Sequence, residues 1–234
     1  MSDIVDSMRA VVEYVRASRD ADPGSRLSSL ARELYNPDSA ELSRAYEEFG
    51  RSRSYTRSSV GRDFHIRRQR ALEDLMNVIY RGCDVFDRAK SLTTSVGQLD
   101  QHITLNGYAQ MIPCFCDAFP SGFILSECKN CGKKVDVTWL GKFANLCVNI
   151  HPTKLGFLVS AEGLSGRGGW DDARGLQRII YLRTGKAIIS IAQPELARLA
   201  AGECFYDVVA EQIRSLHLLT ASVYERYVKA APDK

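Results

Sequence analysis

From Phe123 to Lys129 the chain reads Phe123, Ile124, Leu125, Ser126, Glu127, Cys128, Lys129 directly after Gly122. A strand's period of two puts Phe123, Leu125, Glu127 and Lys129 on one face and Ile124, Ser126 and Cys128 on the other. Glu127 and Lys129 therefore emerge side by side at the end of a strand that is otherwise apolar. Charges in that position are costly to bury unless each has a partner or a metal. The fold must cover this strand with apolar neighbours and still open its charged end to chemistry.

The surrounding pattern supplies that cover. Upstream, Ile66, Leu72, Leu75, Met76, Ile79 and Tyr80 recur at helical spacing, and Arg81 followed by Gly82 ends the element. A strand is expected from Gln98 to Leu105. Downstream, the patterns predict a helix from about Thr138 to Asn149, a strand from Leu155 to Ser160, and a glycine-rich loop. After the loop come a helix to about Arg183, a strand from Lys186 to Ile191, and helices from Pro194 to Ala201 and Phe205 to Leu219. Early strands with alternating later elements indicate an α/β fold, a mixed central sheet flanked by helices. Trp139 and Phe143 read as core.

Ahead of this main domain, taken as 66–222, Ile4, Val5, Met8, Val11, Val12 and Val15 form the stripe of an amphipathic helix. Further helices are expected from Ser25 to Tyr35 and from Ala40 to Phe49. This small helical appendage, 1–50, could mediate dimerisation, bind a partner protein or hold DNA. Residues 51–65 form a basic linker. From Arg51 to Arg70 there are seven arginines against one acid, Asp63, so the segment is either a solvated linker or a phosphate-contacting arm. Residues 223–234 read as a C-terminal tail.

Of 234 residues, 45% are hydrophobic and 25% charged, the balance of a globular chain. No apolar run approaches the roughly 20 residues that span a bilayer, and the first twenty residues lack a signal-peptide block, so the expectation is a cytoplasmic protein with no membrane partner. Seven cysteines, some inside apolar runs, argue against a disulfide framework. A net charge of +3 does not by itself name a nucleic-acid partner, because binding depends on where charge is placed.

In the strand Gln98 to Leu105, Leu99, Ile103 and Leu105 face one way, and Gln98, Asp100, His102 and Thr104 the other. If Asp100 and Glu127 converge from neighbouring strands, their carboxylates are hard oxygen ligands for Mg²⁺, which takes octahedral oxygen shells at about 2.1 Å. The backbone carbonyl of Cys128 could add a ligand. The order Gly97, Gln98, Leu99, Asp100, then Ser126 to Asn130, then Leu155 to Ser160 resembles the Mrr-like restriction endonuclease branch of the PD-(D/E)xK nuclease superfamily, over roughly Arg67 to Leu219.

That resemblance implies a restriction-endonuclease-like fold and a metal-dependent endonuclease hydrolysing DNA, with Mg²⁺ or Mn²⁺ as cofactor, in restriction or antiviral defence, and with homodimers common. Its metal-binding aspartate falls on Asp100, its second acid on Glu127 and its catalytic lysine on Lys129. Leu99 stands where the motif's proline would be. Asp117 is the rival aspartate, and Glu73 and His102 are accessory candidates. Arg67, Arg68, Lys133, Lys142 and Arg167 are candidate nucleic-acid contacts.

The same residues admit other readings. Cys114 and Cys116 with Cys128 and Cys131 provide four thiols for a structural Zn²⁺ knuckle. With or without zinc, the chain could then be a non-catalytic nucleic-acid- or protein-binding module on the same fold. Gly163, Gly166, Gly168 and Gly169 lack the Gly-Lys-Ser/Thr ending of a nucleotide-binding P-loop.

Overall fold

The computed structural model of the protein describes residues 32–94, 97–111, 122–150, 153–167 and 170–230. The helix expected from Ile4 to Val15, most of that from Ser25 to Tyr35, and Cys114, Cys116 and Asp117 lie outside the described residues.

Helix α1 (Ser39–Ser52) opens on Asp38, whose carboxylate accepts the Glu41 N–H at 2.8 Å and satisfies one of the helix's open donors. A short helix α2 (Arg57–Val60) leads into α3 (Phe64–Arg81). The stretch 51–65, expected as a linker, is therefore the junction of packed helices. Arg53 within it donates to Glu162 at 2.8 Å and to Gln193 at 3.0 Å, far along the chain. Leu42 and Phe49 of α1 belong to the same core cluster as α3, so the described part of the expected appendage is built into the main core. Gly82 ends α3 as expected, for a different reason. Its φ of −74° needs no glycine, but a Cβ there would lie 2.6 Å from the Cα of Pro37.

The five strands are β1 (Phe86–Thr94), β2 (Gly97–Leu105), β3 (Phe123–Lys129), β4 (Leu155–Ser160) and β5 (Ala187–Ile191), in that spatial order. The first three form an antiparallel meander, while β3, β4 and β5 run parallel to one another. The sheet is thus mixed, with helices on both faces. β1 was not anticipated from the sequence. It is an edge strand, and its Asp87, Arg88 and Lys90 break the apolar alternation that marks interior strands.

Helices α4 (Val137–Asn145), α5 (Asp172–Thr184), α6 (Gln193–Ala200) and α7 (Phe205–Ala230) complete the chain. A π-helical turn, Leu146–Ile150, follows α4. Helix α7 continues through 223–230, where a tail was expected. Among the described residues no helix is long and apolar enough to cross a membrane.

Alternation along the strands divides the core in two. Ile124 and Cys128 of β3, Phe157 and Val159 of β4, and Ile189 of β5 join Leu72, Leu75 and Ile79 of α3 and Phe205 of α7 in one cluster. Leu125, Leu158 and Ile188, each one residue out of step, join Leu140 and Phe143 of α4 and Ala173 and Ile180 of α5 in the other. β3 is covered on both faces, as its composition demands.

Phe205 has no exposed surface, and its ring lies 5.7 Å from Tyr80 and 5.5 Å from Phe157, edge to face. Phe205→Ala is expected to cost about 3–5 kcal/mol of stability in urea unfolding. Leu218→Ala, on the same helix but 68% exposed, should stay within about 0.5 kcal/mol.

Candidate active site

Glu127 and Lys129 leave β3 on the face of Leu125, toward α4. They form a direct ion pair, Lys129 Nζ to Glu127 Oε1, at 2.6 Å, with side chains only 10% exposed for the glutamate and 20% for the lysine. Moving two charges this far out of water costs several kcal/mol per ion, so their mutual attraction is what makes the placement tolerable.

Helix α4 closes the pair from above. Asp136 caps it by accepting the Trp139 N–H at 3.0 Å, which sets Trp139 in the first turn over the end of β3. Lys129 Nζ then lies 4.5 Å from the centre of the indole ring, and Lys142 Nζ 4.9 Å from it. Phe143 is buried as expected, but Trp139 is 45% exposed and is not a core residue. Placed as the third residue of α4, Trp139 lies away from the apolar stripe of Leu140, Phe143 and Ala144.

The antiparallel register of β2 on β3 pairs Thr104 with Phe123, Ile103 with Ile124, His102 with Leu125 and Gln101 with Ser126. The pairing ends there, one residue short of Asp100 on β2 and of Glu127 on β3. The two acids of the motif thus stand on adjacent strands, each next in sequence to the last paired residue. His102 is held near the start of β3, where its ring stacks on Phe123 at 4.6 Å, away from the charged end.

The parallel register of β4 pairs Lys129 with Ser160. Ser160 is 1% exposed, and its Oγ is buried without a hydrogen-bond partner among the described residues. A buried hydroxyl beside a carboxylate and an ammonium fits a site that takes up water or a hydrated cation, because an unsatisfied polar atom is otherwise a net cost. The donor set is also of the right chemistry: Asp and Glu oxygens suit Mg²⁺ or Mn²⁺.

Glu73 and the Cys128 carbonyl lie together at the same end of β3, on the α3 side. Gln69 Nε2 donates to Glu73 Oε1 at 2.7 Å and to Cys128 O at 2.8 Å, and Gln69 Oε1 accepts the Asn130 N–H at 3.2 Å. Asn130, 3% exposed, donates to Arg68 O at 2.7 Å and ties the end of β3 to the start of α3. Gln69 escaped the sequence reading because a polar residue on a helix carries no mark of what it will meet, and Asn130 entered it only as the last residue of the Ser126 to Asn130 motif, without a role. The position of Asn130 directly after Lys129 was the one hint.

Of the basic candidates, Lys142 shares Trp139 with Lys129, and the Arg68 guanidinium lies under Gly132, just before Lys133. Arg67, Lys133 and Arg167 are exposed. The thiols diverge: Cys128 is buried in the α3-side core, whereas Cys131 is exposed and directs its sulfur at the Lys133 carbonyl.

Cys147 lies behind this site, packed against Gly156, where an added Cβ would sit 2.9 Å from its sulfur. Burial pushes its thiol up from 9.0 to about 12. No family model matches the sequence, and no curated protein or solved structure matches the chain.

Two measurements follow from this geometry. A double-mutant cycle of Glu127→Gln and Lys129→Met in urea unfolding should return a coupling of between about 1 and 3 kcal/mol. The Cys147 thiol binds its proton more tightly folded than unfolded. Its contribution to stability is therefore complete below the unfolded value of 9.0 and is lost as pH rises toward about 12. Unfolding free energies at pH 9 and about 10.5 should fall less steeply in Cys147→Ser than in the wild type, by up to about 1 kcal/mol per pH unit.

Proposed function

We propose that the chain is a metal-dependent endonuclease that hydrolyses DNA phosphodiester bonds, with Asp100, Glu127 and Lys129 at its centre. The observation that carries this reading is the Glu127–Lys129 pair. It is a nearly buried carboxylate and ammonium at the end of an apolar strand, with a second acid on the neighbouring strand. An ion pair in that setting adds little net stability over apolar residues of similar size, so its presence favours a chemical role.

In this reading Asp100 and Glu127 hold Mg²⁺ or Mn²⁺, with the Cys128 carbonyl within reach of the same strand end. The ion, when bound, supplies positive charge at the scissile phosphate and makes water more acidic. Lys129 Nζ neutralises Glu127 before substrate arrives and stabilises the negative charge that grows on the phosphate during attack, a task suited to a compact ammonium. The indole of Trp139 limits water around that ammonium and so strengthens its field. Attack by water leaves no covalent link to the protein. Lys142, Arg68, Arg67, Lys133 and Arg167 supply phosphate contacts around the site. The closeness of Glu73 to the Cys128 carbonyl supports an accessory role for it, and the stacking of His102 on Phe123 favours a supporting one.

The meander that sets β2 beside β3, the parallel β4 and the helices on both faces support the restriction-endonuclease-like fold. The biological setting that fits this activity is cytoplasmic restriction or antiviral defence.

Plasmid cleavage in Mg²⁺ or Mn²⁺ tests the reading. Wild type should nick or linearise the plasmid, and folded Asp100→Ala, Glu127→Ala and Lys129→Ala should each lose on the order of 10² to 10³ in rate. Asp117→Ala should retain activity. Folded Glu127→Ala or Lys129→Ala protein that cuts as fast as wild type would overturn the assignment.

A further inference from the structure

Trp139 stands apart from the core that surrounds it. The apolar stripe of α4 is complete with Leu140, Phe143 and Ala144, all buried, whereas the Trp139 side chain is left 45% exposed. An indole held in water forgoes the burial that usually decides where a tryptophan sits. Two ammoniums lie over the ring instead, Lys129 Nζ at 4.5 Å and Lys142 Nζ at 4.9 Å from its centre. A further cation would be repelled by both, so the ring is not arranged to receive a cationic ligand.

The two lysines are held differently. Lys129 is 20% exposed and anchored to Glu127 at 2.6 Å. Lys142 is exposed and rests on the ring from one turn further along α4. A cation over an exposed ring is held more weakly than a base stacked on an indole. A flat π system therefore displaces the Lys142 ammonium and leaves Lys129 in place. The freed ammonium, on its flexible stem, remains close enough to meet a phosphate.

We propose that Trp139 stacks a nucleobase beside the scissile phosphate, so that the centre takes DNA with an unpaired base: a single strand, a mismatch, a loop or an end. The inference rests on the reading that the chain cuts DNA, and it names the form of DNA that is cut. In a duplex both faces of a paired base are covered by its neighbours, so the indole reaches a base only where the strand is unstacked. The ring centre lies 4.5 Å from the Lys129 ammonium. A stacked base thus sets the phosphate of its own nucleotide, one sugar away, at the ion pair. Negatively supercoiled plasmid opens its strands readily and so remains a substrate.

The test uses the full chain carrying Asp100→Asn, so that the probe is not cut. It also carries Trp170→Phe, which leaves Trp139 as the single indole of the sequence. The probes, in Mg²⁺, are a thymidine strand of about 15 nucleotides, an abasic strand of equal length and a duplex of equal length. At saturation the thymidine strand should quench the Trp139 fluorescence, and the abasic strand and the duplex should leave it unchanged. By anisotropy, Trp139→Ala should weaken binding of the thymidine strand by on the order of tenfold. It should leave the abasic strand, which offers the same phosphates, bound as before. Trp139→Phe, which keeps a ring, should recover most of the loss. Thermal unfolding of each variant establishes that it is folded.

Absence of quenching by the thymidine strand, equal quenching by the duplex, or an equal loss of abasic-strand affinity in Trp139→Ala would overturn the proposal. Each of these leaves the nuclease reading to the plasmid assay. Quenching by the thymidine strand alone, from a chain whose wild type does not cut plasmid, would keep the stacking site and remove the nuclease.

Discussion

The interior of this protein is organised around a strand that is apolar on both faces and charged at its tip. β3 cannot sit at an edge or face water, so it recruits β2 on one side, β4 on the other, α3 beneath and α4 above. At its end Glu127 and Lys129 stand 2.6 Å apart with little exposure. Separating them would strand a charge in a poorly solvated place, which costs more than any single surface contact contributes. The remaining features of the site adapt to that pair. Asp136 caps α4 and brings Trp139 over Lys129, and Gln69 and Asn130 bind the strand end to α3.

This arrangement gives the two faces of the sheet different tasks. On the α3 side the end of β3 is hydrogen-bonded through Gln69, Glu73, Asn130 and the Cys128 carbonyl, which makes it rigid. On the α4 side lie the ion pair, the buried Ser160 hydroxyl and the two lysines over Trp139. The polar, partly shielded face thus lies opposite a base held by side-chain hydrogen bonds.

Several elements were legible because their sequence patterns were local. Helix α3 follows from Leu72, Leu75, Met76 and Ile79, and its end from Gly82, although the glycine serves a close approach to Pro37. β3, β4 and β5 follow from compact apolar runs. β1 was hidden because an edge strand tolerates charges at alternate positions, and those charges erase the signal. The run of arginines from Arg51 to Arg70 resembled a linker because arginine covers exposed helix surface as readily as it occupies a loop. Trp139 was mistaken for core because hydrophobicity does not distinguish the face of α4 that meets the sheet from the one that covers a lysine.

By itself, the sequence determined that Glu127 and Lys129 would be neighbours, since a strand's period of two allows no other outcome. It also determined that β3 would need cover on both faces. Only the tertiary structure decided what meets them. The pairing that sets β2 beside β3, the register of Ser160 on Lys129, and the indole over its ammonium all depend on chain pairing and helix placement across long sequence separations. Periodicity describes a residue's direction within its own element. The partner it finds is set by how whole elements minimise exposed apolar surface together, and that balance is a property of the assembled core.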